Sequence, residues 1–276
     1  MAISAQDVNK LRKMTGAGMM DCKKALTEAD GDFEKAIELL RKKGQKVSAS
    51  RADRETSEGV VFAKTNDAGT EGALVAFTCE TDFVAKNEEF VQLGNQIAEL
   101  AFAQKPASTE EISAMSLGDL TVGEKIIELT GKIGEKLEVK AFETLSGEAV
   151  VPYIHSNAKL GVLVALESTG GADVAGAGKD VAMQIAAMSP VAVDKDGVDT
   201  AIVEKEIEIG KEQARQEGKP EAMLEKIAMG KLNKFYKENT LLSQSFVKDS
   251  SQNVQQYLDS IQKGMTVSAF KRVSIG

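Results

Sequence analysis

The sequence predicts an α+β protein with two related subdomains, each built on an antiparallel sheet, and three observations lead to that prediction. Within residues 58–276, strand-like apolar runs and a helical segment recur in the same order, which indicates an internal repeat. Apolar residues recur at helical spacing in residues 1–45, and a charged helical stretch near residues 197–238 occurs only once. Separate groups of strands and helices are typical of the α+β class.

Residues 1–45 are predicted to form a module of three short helices. Ser4 is placed to cap the first helix, and Asp32 is placed to cap the third. The third helix is expected to end near Gly44, because glycine commonly follows the last helical turn. Met19 and Met20 begin the second helix, where adjacent side chains diverge by about 100°, so we expect one of the two to be exposed.

Residues 46–57 are polar and lack apolar periodicity, which predicts a linker. The helical module is therefore expected to be tethered to the rest of the chain rather than fused with it.

The repeat divides the remaining chain into a first copy, residues 58–144, and a second copy, residues 145–276. Matching segments are separated by 90, 89 and 88 residues, so the register drifts by only two. The sequence of each copy predicts a strand, a turn, a second strand, a polar loop and a helix. A further strand follows later, at 136–143 in the first copy and at 265–275 in the second. The matching segments are 58–61 with 148–151, 72–77 with 161–166, and 96–98 with 184–186.

The two copies differ in the loop that follows the second strand. In the first copy this loop contains Phe83, whereas the second copy has residues 170–173 (GGAD) and no aromatic residue. Phe83 either anchors the next helix in the core or is exposed for a partner. The second copy closes the same connection without an Asp-Phe pair, which favours a functional role for Asp82 and Phe83.

Residues 197–238 have no counterpart in the first copy and are predicted to form an antiparallel helical hairpin inserted before the final strand. Apolar residues recur at helical spacing on both sides of a break at residues 218–220 (GKP). Glycine is expected to end the first helix and proline to open the second.

Composition and motifs exclude several classes of function. A net charge of −8 argues against nucleic-acid binding, and one histidine with two isolated cysteines argues against a metal centre, a disulfide framework or a nucleophilic triad. Residues 176–180 (GAGKD) superficially suggest a phosphate-binding loop, but Asp173 and Asp180 occupy positions where that motif needs glycine and a hydroxyl residue. We interpret this segment as a flexible loop that opens the next helix. We expect no bound cofactor, no membrane-spanning segment and no secretory signal, and hence a cytoplasmic protein.

Two segments carry a resemblance to a known family. Residues 81–86 (TDFVAK) and 15–26 (TGAGMMDCKKAL) resemble the signatures of bacterial elongation factor Ts, in the expected order. The resemblance implies an N-terminal module of the ubiquitin-associated (UBA-like) type and a coiled-coil insertion. It also implies guanine-nucleotide exchange on the GTPase elongation factor Tu, without bond chemistry.

The resemblance also implies which residues contact the partner. Phe83 would act as a wedge while Asp82 disturbs the surroundings of the bound Mg²⁺, with Thr81 and Val84 in the same segment. Further contacts carried over are Arg12, Met19, Met20, Ile133, Gly134 and His155.

The sequence leaves two other classes of function open. An acidic scaffold or adaptor would bind a partner without altering nucleotide release, and a hydrolase using His155 and Asp82 would lack any supporting motif. Self-association and a 2:2 complex are also left open.

Overall fold

The computed structural model describes residues 3–276 and confirms the α+β class. The α-helices of this range are α1 (Ala5–Thr15), α2 (Met19–Glu28), α3 (Phe33–Ser50), α4 (Asp82–Ala85), α5 (Glu88–Gln104), α6 (Thr109–Ala114), α7 (Val122–Ile133), α8 (Val174–Met188), α9 (Thr200–Gln216), α10 (Glu221–Asn239) and α11 (Val254–Ile261). The β-strands are β1 (Glu58–Thr65), β2 (Glu71–Cys79), β3 (Ser116–Leu117), β4 (Leu120–Thr121), β5 (Leu137–Ser146), β6 (Ala149–Ile154), β7 (Leu160–Glu167), β8 (Ser245–Phe246), β9 (Asp249–Asn253) and β10 (Thr266–Ser274).

Each copy of the repeat forms one antiparallel sheet of three strands. The first sheet has the order β1-β2-β5, and the second has the order β10-β7-β6. The central strands β2 and β7 are therefore equivalent, and all neighbouring pairs are antiparallel.

The two sheets pack face to face, and helices cover their outer faces. Leu74 of β2 and Leu163 of β7 are fully buried in the cluster between the sheets. Alternate residues of these strands point outward, where Phe77 packs under the helices of the first copy and Val164 under those of the second. Because β2 and β7 are covered on both faces, they are continuous apolar runs rather than alternating ones.

The repeat extends further than the sequence comparison indicated. Before its last long strand, each copy has a small two-stranded hairpin, β3–β4 or β8–β9, followed by α7 or α11. Both helices begin with a capping box, formed by Thr121 with Glu124 and by Asn253 with Gln256. These short elements were not predicted, because two-residue strands carry no periodic signal.

The N-terminal module has the three predicted helices, but the predicted end of the third near Gly44 is wrong, since α3 continues to Ser50. Gly44 instead lies where α3 crosses α7: a Cβ at Gly131 would be 2.6 Å from the Gly44 Cα. The two glycines let the helices approach closely. The module is thus packed on α7 rather than merely tethered, and residues 46–50 of the predicted linker are helical.

The predicted hairpin insertion consists of α9 and α10. Gly210 lies against Ala228 at their contact, where a Cβ on the glycine would be 3.1 Å from the Ala228 Cα. The expectation of a flexible loop at 176–180 is wrong, because these residues belong to α8 and Gly178 packs against Val151. No helix within residues 3–276 is long and apolar enough to cross a membrane.

Candidate functional site

Phe83 lies on α4, a helix of four residues that directly follows β2. Its side chain is 82% exposed, whereas the next two residues, Val84 and Ala85, are buried. Val84 is therefore the apolar anchor of this turn, and the interpretation of Phe83 as a core anchor is wrong. The burial of Val84 and Ala85 fixes the backbone that carries the exposed ring.

Glu135 ties the start of α4 to the end of α7. Its carboxylate accepts a hydrogen bond of 3.0 Å from the Thr81 N–H and one of 2.7 Å from the Thr81 hydroxyl. Gly134 ends α7 in the left-handed region, at φ 86°, which turns the chain toward Thr81. The structure thus brings together two predicted segments, Thr81–Val84 and Ile133–Gly134.

Glu80 links the same loop to the N-terminal module. The Arg51 Nη1 donates to both carboxylate oxygens of Glu80 at 2.9 Å, and the Lys136 N–H donates to one of them at 2.6 Å. Burial alone would raise the pKa of Glu80, but these donors lower it below its usual value. The carboxylate stays ionised and holds three parts of the chain together at the base of α4.

Asp82 is exposed and pairs with Lys86, whose Nζ lies 2.7 Å from Asp82 Oδ2. The hydrogen bond from Lys86 lowers the pKa of Asp82, and the positive charge of Lys159 adds a smaller effect. Lys159 also binds Glu58 at 2.6 Å, and Glu58 is opposite Cys79 in the first sheet. The turn between β6 and β7, which carries Lys159, therefore lies at the same end of the sheet as Asp82.

His155 begins that β6–β7 turn and is exposed. Its Nδ1 lies 2.9 Å from the Tyr153 hydroxyl. The turn is held against the first sheet because the Val61 N–H donates to the Ala158 carbonyl at 2.7 Å. His155 thus belongs to the edge of the molecule that carries Asp82, although it belongs to the second copy.

Arg12, Met19 and Met20 are exposed on the N-terminal module. Met19 is 49% exposed and Met20 is 72% exposed, so the two do not both point inward, as expected, and both are in fact exposed. Met19 shares a helix face with the buried Leu26, but it lies in the first turn of α2, where the small core of the module covers it only in part. Flexible, polarizable methionine side chains suit adaptable protein contacts.

The site contains a buried thiol but no metal-ligand cluster within residues 3–276. The Cys79 thiol donates to the Thr81 carbonyl at 3.1 Å. Burial, with the nearby Glu135 carboxylate, raises the pKa of Cys79 to about 12. The thiol therefore stays protonated and acts as a hydrogen-bond donor that supports the loop.

The sequence interpretation missed the supporting residues Arg51, Glu80 and Glu135. Glu80 directly precedes the predicted contact segment 81–84, and Glu135 directly follows the segment 133–134. This adjacency in sequence is the one signal that could have indicated a supporting role for the two glutamates. Arg51 could not be found this way, because the segment that carries it was interpreted as a linker.

Comparison with known proteins assigns the chain to a family. The family model described as "Elongation factor TS" matches residues 80–276. The elongation factor Ts of Cytophaga hutchinsonii is 64% identical over 274 residues, covering 99% of each chain, and that of Amoebophilus asiaticus is 60% identical over 276 residues, covering 100% of each. The elongation factor Ts of Chlorobaculum tepidum is 45% identical and covers 99% of each chain. The chain therefore belongs to the elongation factor Ts family.

Proposed function

We propose that this translation elongation factor, which acts in protein biosynthesis, is a guanine-nucleotide exchange factor for elongation factor Tu. It promotes GDP release by disturbing the Mg²⁺ and phosphate site of that GTPase. The observation that carries the proposal is the exposed ring of Phe83 on a turn whose backbone is fixed from several sides. Family membership supports the identity of the partner.

Phe83 acts as the wedge. A phenylalanine side chain that moves from water into an apolar pocket gains about 2–3 kcal/mol. The entropy cost of ordering α4 on binding is small, because Val84 is already buried and Thr81 is already hydrogen-bonded to Glu135. The gain is therefore available to hold the partner in a conformation that binds nucleotide poorly.

Asp82 supplies a negative charge beside the wedge. Its lowered pKa keeps the carboxylate ionised at neutral pH, and its partner Lys86 is exposed and free to rearrange. Mg²⁺ needs near-octahedral oxygen ligands and ordered waters, so displacing the groups around it weakens GDP binding. By linkage, the factor and the nucleotide weaken each other's binding by the same ratio.

The other predicted residues provide the remaining contact surface. Arg12, Met19 and Met20 hold the N-terminal module on the GTPase, and Ile133 with Gly134 lies beside the wedge. His155 extends the surface into the second copy. No bond is made or broken in this mechanism, and it places the protein with elongation factor Tu in the cytoplasm.

The test is displacement of fluorescent GDP from elongation factor Tu by the full chain and by Phe83→Ala. We expect the stimulated release rate to fall at least tenfold while the unfolding midpoint stays unchanged, because the ring makes few contacts within the chain. Val247→Ala removes another exposed apolar side chain, 48% exposed on the β8–β9 turn, and should release GDP like the parent chain.

The same assay separates exchange from the adaptor alternative. An adaptor would bind elongation factor Tu without changing the rate of GDP release. An unchanged release rate in a folded Phe83→Ala variant would refute the wedge role.

A further inference from the structure

The outward face of α10 carries an apolar and basic surface, which we call the outer stripe. The buried residues of this helix, Leu224, Ala228 and Leu232, point toward α9. On the opposite side, other residues recur at intervals of three or four positions and so share one face. The outer stripe consists of Met223, Lys226, Ile227, Gly230, Lys234 and Lys237.

Gly230 has no structural role in the described chain. A Cβ added there would meet no atom within 4 Å, whereas a Cβ at every other glycine inside the helices of residues 3–276 would meet a neighbouring atom at 3.2 Å or less. Glycine is the least favourable residue in a helix interior after proline, and Gly230 lies in the middle of α10. The contact of Gly44 with Gly131 demonstrates what such a glycine permits, namely the close approach of another helix.

Two apolar residues of the outer stripe lie on the N-terminal side of Gly230. Met223 is 47% exposed, and Ile227 is only partly buried. Together they form a small apolar patch that begins one turn before Gly230, and the other side chains of the stripe are lysines. An apolar patch beside a notch in the helix surface is suited to an apolar helix face.

The charges of the outer stripe indicate the kind of partner. Its charged residues are all lysines, although the chain as a whole carries a net charge of −8. Lys234 lies 3.7 Å from Glu238, whereas Lys226 and Lys237 make no ion pair among the described residues. A second copy of the stripe would place lysines against lysines, which like-charge repulsion disfavours.

We propose that the outer stripe of α10 binds an acidic amphipathic helix of another protein, with a small residue of that helix over Gly230. This surface lies on the inserted hairpin and shares no residue with the candidate site around Phe83. The interaction is therefore separate from nucleotide exchange. The partner's carboxylates would pair with Lys226 and Lys237, and its apolar stripe would cover Met223 and Ile227.

The test uses the full chain and a fluorescein-labelled helical peptide with alanine at its centre, leucine on one face and glutamate on both flanks. We expect micromolar binding by fluorescence anisotropy that weakens as salt increases. Gly230→Leu should weaken it at least tenfold, and so should Lys226→Glu combined with Lys237→Glu. Lys205→Glu changes an exposed lysine on α9 of the same hairpin and should bind like the parent chain.

Gly230→Ala provides a second, opposing readout. Alanine is more favourable than glycine in a helix, so the thermal midpoint should rise by about 2 °C while peptide binding weakens. GDP release should be unchanged in every stripe variant. The proposal is overturned if the parent chain does not bind the peptide, if Gly230→Leu binds normally, or if Lys205→Glu weakens binding equally. It is also overturned if a single-stranded RNA oligonucleotide displaces the peptide, because the stripe would then be a nucleic-acid site.

Discussion

Replacing Glu135 with alanine should slow nucleotide exchange without touching the exposed ring. Glu135 accepts two hydrogen bonds from Thr81, and Thr81 is the N-cap residue directly before α4. Without the carboxylate, Thr81 loses both of these hydrogen bonds to the segment after α7, while the Phe83 side chain is unchanged. The variant therefore tests whether exchange depends on the position of the Phe83 ring, because the ring itself is still present.

The size of the effect follows from these two bonds. A hydrogen bond to a charged group contributes about 1.5–3 kcal/mol when it is buried. Glu135 and Thr81 are partly exposed, so we assign about 1 kcal/mol to each bond and about 2 kcal/mol to the pair. Since 1.4 kcal/mol corresponds to tenfold, the ordered form of α4 should become up to about 30-fold less favoured relative to open forms.

The assay is stimulated release of fluorescent GDP, measured beside urea unfolding of each variant. The second copy offers a matched control, because Glu148 accepts hydrogen bonds from the N–H groups of Ser168 and Thr169 at 2.7 and 3.1 Å. Glu148→Ala should lower stability by a similar amount yet leave GDP release unchanged. Combining Glu135→Ala with Phe83→Ala should add little to the loss caused by Phe83→Ala alone.

Two results would refute this reasoning. One is normal GDP release by Glu135→Ala, which would mean that α4 holds its conformation without Glu135. The other is an equal loss in Glu148→Ala, which would mean that global stability, rather than the position of Phe83, sets the rate.

Two further predictions concern the contact between the N-terminal module and the first copy. Gly131→Ala should lower the free energy of unfolding by about 1–3 kcal/mol in urea denaturation, because the new methyl group would lie 2.6 Å from the Gly44 Cα; an unchanged midpoint would mean that α3 and α7 separate at no cost. The lowered pKa of Glu80 means that the hydrogen bond from the Lys136 N–H and the ion pair with Arg51 stabilise the fold above the unfolded pKa, near 4.5, and that this contribution is lost as the pH falls through the lower folded value. Urea midpoints at pH 7 and pH 3 should therefore differ less in Glu80→Gln than in the parent chain, and equal differences would contradict this role.

Most of the fold could be predicted from periodicity. The long strands and helices of both copies have clear periods, and the offsets of the repeat placed β1, β2, β6 and β7 correctly. The predicted helix end near Gly44 failed because glycine has two uses in helices. Glycine can end a helix because it readily adopts the left-handed conformation, as Gly134 does. It can also let a neighbouring helix approach closely because it has no side chain, as Gly44 does. Only the second use depends on a residue more than eighty positions away.

The candidate site could be predicted in part. The sequence placed Phe83 on the connection after a buried strand, where the structure has it exposed. It could not indicate that Glu135 binds Thr81, because these residues are 54 positions apart and only the folding of the intervening helices brings them together. The sequence indicated that Met19 and Met20 are not both buried but could not indicate that both are exposed, since helical spacing gives the direction of a side chain and not how far its neighbours cover it.

The face-to-face packing of the two sheets ties the two copies into one folding unit. Leu74 and Leu163 are fully buried only because each sheet covers the other. A polypeptide cut between residues 144 and 145 would leave two fragments, each with a bare apolar sheet face. Such fragments would recover the native arrangement by finding each other, in the manner of fragment complementation, rather than by folding alone.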